Sequence, residues 1–371
     1  MQDFKYQRFL KTAEKISSTR ASIDGREVVL FCANDYLGLA NHPEVISAAS
    51  EAAQSSGFGA GSAPLISGHT AYHEKLREGL AGFKSAESSL LFGSGYLANT
   101  GIIPAIAGKD DIIFSDRLNH ASIIDGCRLS GAKIIIYEHN DHAHLKKLLA
   151  EKSGGRKLVV TEAVFSMDGD IAPLPEIISA ANTYGARLYI DEAHSTGVLG
   201  KTGRGIFEHF KISPGPGVMQ MGTLGKALGS YGAFAAGDTE YIKLLINTAR
   251  SFIFSTSLPS PSCAAALAAL GILQREPERL AHLHENARML RDGLSEIGYK
   301  AKGGGTPIIP VIVGSADEAV KLSEALLASG FYAPAIRPPT VPEGQCRIRF
   351  TVSAVHTPSD INALLKAMKE L

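Results

Sequence analysis

Short apolar runs alternate with helix-forming stretches rich in Ala, Leu, Glu and Lys from about residue 41 onward. Such runs of four or five residues predict strands at 89–92, 111–114, 133–137, 157–161, 187–190, 218–221 and 233–236. Strands that are apolar throughout are buried on both faces. The alternation therefore predicts an α/β fold, a mostly parallel sheet with helices on both faces.

The pattern changes on either side of this region. The first 40 residues predict an arm, with a polar helix followed by a short strand pair around Asp24 and Gly25. A long charged helix at about 276–297 leads into predicted strands at 307–313 and 346–352 and helices at 316–329 and 358–369. We predict an arm at 1–40, a large α/β domain at 41–275 and a small α+β domain at 276–371.

Composition and charge exclude several classes of protein. Lys plus Arg and Asp plus Glu each total 37, so no excess of positive charge favours nucleic acid or an anionic membrane as partner. The four cysteines form no C-x-x-C pair, and no metal site is expected. The start of the chain lacks a signal-peptide core, and the longest nearly uncharged apolar run, 263–273, is about half a membrane span. These features indicate a soluble cytoplasmic protein.

An acid and an imidazole follow one predicted strand. Asp191 ends the run at 187–190, and His194 comes three residues later. Ligands of open parallel sheets bind beyond the carboxyl ends of the strands, so both side chains are candidates for a binding crevice. The alternative is that Asp191 caps the next helix and His194 lies on the surface.

A lysine lies among small residues after the run at 218–221. Lys226 stands in the sequence MGTLGKALG, whose glycines leave room for a ligand. A free lysine, with a pKa near 10.4, is a poor nucleophile, but burial or a cationic neighbour lowers that pKa and permits Schiff-base chemistry. The alternative is a solvated loop lysine. The Walker A pattern is absent.

A Gly-Ser-Gly turn between a strand and a helix offers backbone amides to a phosphate. The same turn satisfies G-x-G-x-x-A through Gly93, Gly95 and Ala98, and Asp116 lies 21 residues beyond Gly95. That spacing is typical of a dinucleotide fold, so an NAD-dependent oxidoreductase is the competing hypothesis. It leaves Asp191 and Lys226 without a role.

These motifs, in chain order, resemble the α-oxoamine synthase family of fold-type-I, pyridoxal-phosphate (PLP)-dependent enzymes. The resemblance covers the chain from about Asn34 to its end and is carried by 34–39 (NDYLGL), 59–68, 119–122 (NHAS), 161–170 (TEAVFSMDGD), 191–197, 223–226 and 254–257 (FSTS). It implies an aspartate-aminotransferase-like fold, PLP as cofactor, and a homodimer with shared active sites.

The resemblance also implies how the cofactor is held. Lys226 would join the cofactor aldehyde as a Schiff base and then remove the Cα proton of the amino acid. Asp191 would keep the pyridine nitrogen protonated, and His194 would bond the ring hydroxyl. The polar turn at 115–122 carries His120, which would stack on the ring. The remaining cofactor residues would be Ser166 near the ring hydroxyl, Gly95, Tyr96 and Thr223 at the phosphate, and Ser255 and Thr256 at the phosphate of the neighbouring subunit.

Substrate residues follow from the same resemblance. Arg349 would clamp the amino-acid carboxylate, a task that suits a bidentate guanidinium. Asn34 and Thr340 would line the entrance, Glu162 would lie near the acyl-binding region, and Arg8 would contact a pimeloyl chain.

The implied reaction is a decarboxylative condensation of an amino acid with an acyl thioester. Residues 335–342 (AIRPPTVP) and the Arg347–Arg349 stretch favour L-alanine and a pimeloyl thioester, carried by coenzyme A or by an acyl carrier protein. The alternative within the family is glycine with acetyl-CoA. A non-catalytic relative would lack the lysine that this chain keeps at position 226.

Overall fold

The computed structural model describes residues 10–371, and its strands alternate with helices through most of the chain. The strands are β1 (Ala13–Lys15), β2 (Arg20–Ile23), β3 (Arg26–Leu30), β4 (Ser88–Phe92), β5 (Ile112–Asp116), β6 (Lys133–Tyr137), β7 (Lys157–Glu162), β8 (Arg187–Asp191), β9 (Val218–Thr223), β10 (Ala233–Gly237), β11 (Ile308–Gly314), β12 (Phe331–Tyr332), β13 (Ala335–Ile336) and β14 (Cys346–Thr351). All seven runs predicted for the large sheet, and both predicted C-terminal strands, are confirmed to within a few residues.

The helices cover the sheet and complete the small unit. They are α1 (Pro43–Ser56), α2 (Ala71–Phe83), α3 (Gly95–Ile106), α4 (Ala121–Ser130), α5 (His142–Glu151), α6 (Leu174–Thr183), α7 (Ile206–Phe210), α8 (Thr239–Thr248), α9 (Arg250–Ile253), α10 (Ser260–Arg275), α11 (Pro277–Glu296), α12 (Ala316–Ala328) and α13 (Pro358–Glu370), with a π-helical turn at Pro64–Gly68. The predicted helices α11, α12 and α13 are confirmed.

The larger unit, Leu39–Ser166 with Ile171–Leu280, is built on a seven-stranded sheet. Its strand order is β4-β10-β9-β8-β7-β5-β6. Strand β10 runs antiparallel to both of its neighbours, and the other pairs are parallel. The prediction of a mostly parallel sheet is therefore confirmed.

Burial explains why the strands other than β6 are apolar; β6 lies at the edge of the sheet, where Ile134 and Ile136 are exposed. Helix α3 places Ile102 and Ile103 in one cluster with Val160 of β7 and Tyr189 of β8, and all four side chains are fully buried. Burial of one such side chain contributes roughly 1.5–3 kcal/mol to folding. Because helices cover both faces, polar residues are left to the strand ends, where β7, β8 and β9 finish in Glu162, Asp191 and Thr223.

The smaller unit contains the described part of residues 1–38, together with Met167–Asp170 and Ala281–Leu371. It holds two sheets, with strand orders β1-β2-β3-β12 and β11-β14-β13. The predicted strand pair is confirmed as the β2–β3 hairpin, whose turn residues Asp24 and Gly25 have φ of 51° and 79°, as a type I′ turn requires.

The predicted arm differs from the structure in two ways. Residues 10–38 group with the C-terminal residues instead of standing apart. Ala13–Lys15 forms strand β1, paired with β2, where the polar pattern predicted a helix. Pairing with a neighbouring strand overrides a local helical preference in so short a segment.

Burial of His356 predicts an acid-sensitive smaller unit. Burial lowers the pKa of His356 to about 4, while Asp360 raises it and Arg20 lowers it further. The neutral ring stacks on Phe31 and bonds the Leu30 carbonyl. Because the folded pKa is depressed, this stability is complete above the unfolded pKa near 6.5 and is lost as the pH falls toward 4.

We expect His356 to account for about 3 kcal/mol of the fall in the free energy of unfolding between pH 7 and pH 4. Urea denaturation at a series of pH values should give a shallower dependence for His356→Gln than for the parent. His282→Gln is the control, since His282 is exposed. Parallel curves for parent and His356→Gln would contradict the expectation.

Candidate active site

A cavity of about 220 Å³ opens in the larger unit at the carboxyl ends of its parallel strands. Its position is the one expected for a ligand site in an open parallel sheet. The lining residues are Gly95, Tyr96, Asn99, His120, Ser122, Glu162, Asp191, Ala193, His194, Met221, Thr223 and Lys226. Sequence motifs more than 100 residues apart thus meet in one place.

Lys226 is held by a tight loop that follows β9. The loop closes through a hydrogen bond from the Gly229 N–H to the Lys226 carbonyl at 2.9 Å, and Gly229 has a φ of 58°. A Cβ on Gly229 would lie 2.4 Å from the Ala40 nitrogen, so only glycine fits. The half-buried Lys226 Nζ lies 2.8 Å from His194 Nε2. The solvated-lysine alternative is therefore wrong.

Asp191 is buried and fixed at both carboxylate oxygens. Oδ1 accepts from the Ala193 N–H at 2.9 Å, and Oδ2 accepts from Asn99 Nδ2 at 2.8 Å. The residues after Asp191 form turns, so the helix-capping alternative is wrong. Hydrogen-bond donors on both oxygens fix the orientation of the carboxylate.

Glu162 lies beside Asp191, since the two are register partners in β7 and β8. Its carboxyl accepts from the His120 N–H at 2.6 Å and from the Ser166 N–H. Burial, reinforced by the negative charge of Asp191, raises the pKa of Glu162 well above its ordinary value. The surroundings of Glu162 thus favour the protonated form of its carboxyl.

His120 begins helix α4 and has a fixed ring. Ser122 Oγ lies 2.7 Å from Nδ1, and the Ser122 N–H also points at Nδ1 at 3.3 Å. Burial lowers the pKa of His120; Asp191 opposes this shift and Lys226 adds to it. The ring is neutral at pH 7 and so presents a flat, uncharged face.

An anion-binding element stands at the start of α3. Ser94 caps this helix by accepting from the Leu97 N–H, and Gly95 and Tyr96 supply the first amides. Tyr96 donates its hydroxyl proton to Asp125. Backbone amides at a helix start, with the Thr223 hydroxyl on the same cavity wall, suit a phosphate.

This donor set fits PLP. A buried carboxylate is available for a protonated pyridine nitrogen, an amine for an aldehyde, a neutral imidazole for a ring face and helix-start amides for a phosphate. Throughout residues 10–371, no group of three or more His, Cys, Asp or Glu side chains has the arrangement of a metal site.

Comparison with known families agrees with this geometry. The sequence model of the family "Aminotransferase class I and II" matches residues 26–368, nearly the whole chain. The chain belongs to this aminotransferase family. This match, together with the solved structures described next, confirms the predicted family and the predicted fold type I.

Individual relatives of this aminotransferase-family chain carry narrower names. It is 50% identical to 8-amino-7-oxononanoate synthase of Geobacter sulfurreducens over 368 residues, covering 98% of this chain and 94% of the relative. Serine palmitoyltransferase from S. paucimobilis, solved with a bound PLP–myriocin aldimine, superposes with a TM-score of 0.93 at 33% identity, covering 96% and 90%. 8-Amino-7-oxononanoate synthase from Francisella tularensis gives 0.81 at 29%, covering 92% and 97%.

The competing dinucleotide site is excluded in this aminotransferase-family chain. Four strands lie between β4 and β5 in the sheet, so the two are five steps of about 4.8 Å, or about 24 Å, apart, and the glycine turn and Asp116 cannot share one nucleotide. Asp116 also accepts from the Leu118 and Asn140 N–H groups and contacts His139. The Asp116 carboxylate is therefore held by its own loop and by the loop that follows β6.

Several predicted site residues lie outside the cavity. Ser166 contacts Glu162 through its backbone N–H. Ser255 and Thr256 line a different recess with His69 and His73. Their predicted roles stay predictions.

Of the predicted substrate residues, Glu162 lines the cavity of the larger unit, whereas Asn34, Thr340 and Arg349 belong to the smaller unit. Arg349 is buried, and its guanidinium donates to Asn34 Oδ1 at 3.3 and 3.4 Å and to the Tyr36 hydroxyl at 3.4 Å. Thr340 is exposed in a turn. Arg8 lies outside the described residues. The predicted roles of Arg349 at the amino-acid carboxylate and of Asn34 and Thr340 at the entrance stay predictions.

Sequence reasoning assigned no role to Asn99, Ser122 or Tyr189. Helical spacing offered one signal, because Asn99 follows Tyr96 by three residues and so shares its face of α3. Strand spacing offered another, because Tyr189 precedes Asp191 by two residues and points to the same side of β8. Asn99 and Ser122 bond to residues that the sequence did identify, Asp191 and His120, and Tyr189 bonds to Asn99.

Proposed function

We propose that this chain condenses L-alanine with a pimeloyl thioester, releasing CO2 and a free thiol and giving 8-amino-7-oxononanoate for biotin synthesis. The observation that carries the proposal is 50% identity over nearly full length with 8-amino-7-oxononanoate synthase. The thioester carrier, coenzyme A or an acyl carrier protein, is left open by this match.

PLP is the cofactor, as in the solved serine palmitoyltransferase. When bound, it supplies an electron sink for the electron pair left at the amino-acid Cα. Asp191 would keep the pyridine nitrogen protonated, because a fixed carboxylate favours the charged form of its partner. His120 would cover the ring face, and His194 would bond the ring hydroxyl.

Lys226 would act twice, as the point of covalent attachment and as the base for the Cα proton. His194 Nε2, 2.8 Å from Nζ, holds the amine in place for both tasks. Burial beside Asp191 raises the pKa of Glu162, which disfavours a second negative charge in the cavity.

The subunit arrangement is part of the proposal. Ser255 and Thr256 do not line the cavity of their own chain, which agrees with a role in the site of a second copy. We propose a homodimer with shared sites. A cytoplasmic location is supported by four free thiols, since disulfides are rare in that compartment. Within residues 10–371, no helix has the length and apolar character needed to cross a membrane.

A substrate panel tests the reaction. The holoenzyme is assayed with L-alanine or glycine, each against acetyl-, succinyl-, palmitoyl- and pimeloyl-thioesters. We expect turnover to be fastest with L-alanine and the pimeloyl thioester. Rapid turnover only with glycine and acetyl-CoA would overturn the proposal in favour of glycine C-acetyltransferase, and turnover only with the palmitoyl thioester would favour a serine palmitoyltransferase-like reaction.

Arg349 should govern amino-acid binding. Arg349→Lys keeps the charge but loses the paired N–H donors that grip a carboxylate. We expect the KM for L-alanine to rise about 10- to 100-fold, as for loss of about 1.5–3 kcal/mol of charged hydrogen bonding, while the KM for the thioester changes little. Steady-state kinetics with each substrate varied in turn measures both. Equal increases in both KM values would contradict the assignment.

A further inference from the structure

One buried amide connects two cofactor residues that the sequence places 71 positions apart. Asn99 Nδ2 donates to Asp191 Oδ2 at 2.8 Å and to Ser122 Oγ at 2.8 Å, while Oδ1 accepts from the Tyr189 hydroxyl at 2.5 Å. An asparagine amide has two N–H donors and one carbonyl acceptor, and here all three groups are used. Asn99 is 1% exposed, so water does not compete for these bonds.

The partners determine which way the amide faces. The Asp191 carboxylate accepts only, so it must face Nδ2. Burial and the charge of Asp191 raise the pKa of Tyr189 well above its ordinary value, so its phenol keeps the proton that it donates to Oδ1. If the Asn99 amide were flipped, its carbonyl oxygen would face the Asp191 carboxylate, and two hydrogen-bond acceptors would be in contact.

The second branch determines the tautomer of His120. The Ser122 N–H points at Nδ1, which therefore carries a lone pair. The Ser122 hydroxyl, which receives the Asn99 N–H at its oxygen, is left to donate its own proton to Nδ1 at 2.7 Å. A consistent set of donors thus runs from Asn99 through Ser122 to His120 and places the ring proton on Nε2.

The charged groups facing His120 would otherwise disturb this state. Asp191 favours protonation of the ring and Lys226 opposes it, while Glu162 meets the His120 backbone N–H. Protonation at Nδ1 would break both bonds from Ser122. The Asn99 amide and Ser122 therefore act against the attraction of Asp191.

We propose that Asn99 is a positioning residue of the cofactor site, whose single amide orients the Asp191 carboxylate and, through Ser122, holds His120 as the neutral Nε2–H tautomer. The inference rests on the proposed PLP site. It assigns Asn99 no contact with substrate and no proton transfer. One amide therefore determines both the orientation of Asp191, which would pair with the ring nitrogen, and the tautomer of His120, which would cover the ring face.

The test uses the apoprotein and the PLP-loaded protein with three variants. Asn99→Leu removes both branches at similar volume, Ser122→Ala removes the hydroxyl that links Asn99 to His120, and Asn286→Leu is the matched control. Asn286 is also buried and donates twice through Nδ2, to the Ser353 and His356 carbonyls, within the smaller unit. The measurements are the Kd for PLP, the His120 tautomer from 15N NMR of histidine-labelled apoprotein, and the absorbance of the loaded protein against pH.

We expect Asn99→Leu to raise the Kd for PLP about 10- to 100-fold, as loss of an orienting partner does at comparable sites, and to shift the pH dependence of the absorbance. Both Asn99→Leu and Ser122→Ala should lower the Nε2–H population of His120. Asn286→Leu should lower thermal stability without either change. If Asn99→Leu fails to fold, the His120 tautomer in Ser122→Ala decides.

Unchanged tautomer and Kd in the folded Asn99 and Ser122 variants would overturn the inference, as would an equal rise in Kd for Asn286→Leu. Failure of the parent itself to bind PLP overturns the proposed function instead, and is seen before any variant is compared. The His120 tautomer of the parent apoprotein gives an independent check: a dominant Nδ1–H form would contradict the donor set described above.

Discussion

Turnover by Lys226→Ala is expected to fall by about 10³-fold or more. The variant loses the amine that attaches the cofactor and, with it, the base for the Cα proton, and a positioned general base alone contributes about 10²–10⁴-fold. The neighbouring His194, 2.8 Å away in the parent, is tied to the same amine and lies on the wall of the same cavity. We do not expect it to replace both functions of the lysine.

Covalent attachment gives a second readout for the same variant. Borohydride reduction of the parent holoprotein should add the mass of the cofactor to the peptide containing Lys226 and abolish the yellow absorption. Lys201→Ala is the control, because Lys201 is exposed on a loop of the same unit and should behave as the parent does. An adduct on any other peptide, or product formation by Lys226→Ala at the parent rate, would refute the role of this lysine.

Lys84→Met is expected to destabilise the protein by about 3–5 kcal/mol, because it leaves a buried carboxylate without its cation. Lys84 Nζ lies 2.8 Å from Glu192 Oε1, and both side chains are fully buried. Glu192 Oε2 accepts from the Ser195 hydroxyl at 2.6 Å and from the Ile206 N–H at 2.8 Å, but these bonds do not replace a charge partner. Urea denaturation measures the loss.

A solvent-exposed pair provides the control for this experiment. Arg275 and Glu44 form an ion pair of similar length at the surface, and Arg275→Met should cost less than about 1 kcal/mol. The double variant Lys84→Met with Glu192→Gln should recover part of the loss, because the orphaned charge is gone. Equal effects of the buried and the exposed single variants would contradict the expectation.

The buried Lys84–Glu192 pair also positions residues of the candidate active site. Glu192 directly follows Asp191, and its N–H donates to the Met221 carbonyl of β9 at 2.6 Å. Adjacent residues of an extended chain point to opposite sides, so Asp191 enters the cavity while Glu192 reaches Lys84. The ion pair therefore anchors the segment that carries Asp191 and His194, and Lys84→Met should weaken PLP binding as well as stability.

The sequence determined the fold class, the large sheet's strands and the motifs that supply the cavity. Apolar runs buried on both faces, alternating with helices, left few other architectures, and the acid, imidazole and lysine at strand ends pointed to one edge. The sequence did not determine the role of Asp116, because its spacing from Gly95 was equally consistent with a dinucleotide site.

Only the tertiary structure decided that question and set the roles of Asn99 and Lys84, because strand order and long-range pairing are not visible in local spacing. Sheet order separated β4 from β5, a long-range hydrogen bond brought the Asn99 amide to Asp191, and burial made the loss of either partner of the Lys84–Glu192 pair costly. The local sequence pattern shows which residues are apolar and which carry reactive groups. What those groups contribute to stability or catalysis depends on which distant atoms contact them in the buried interior.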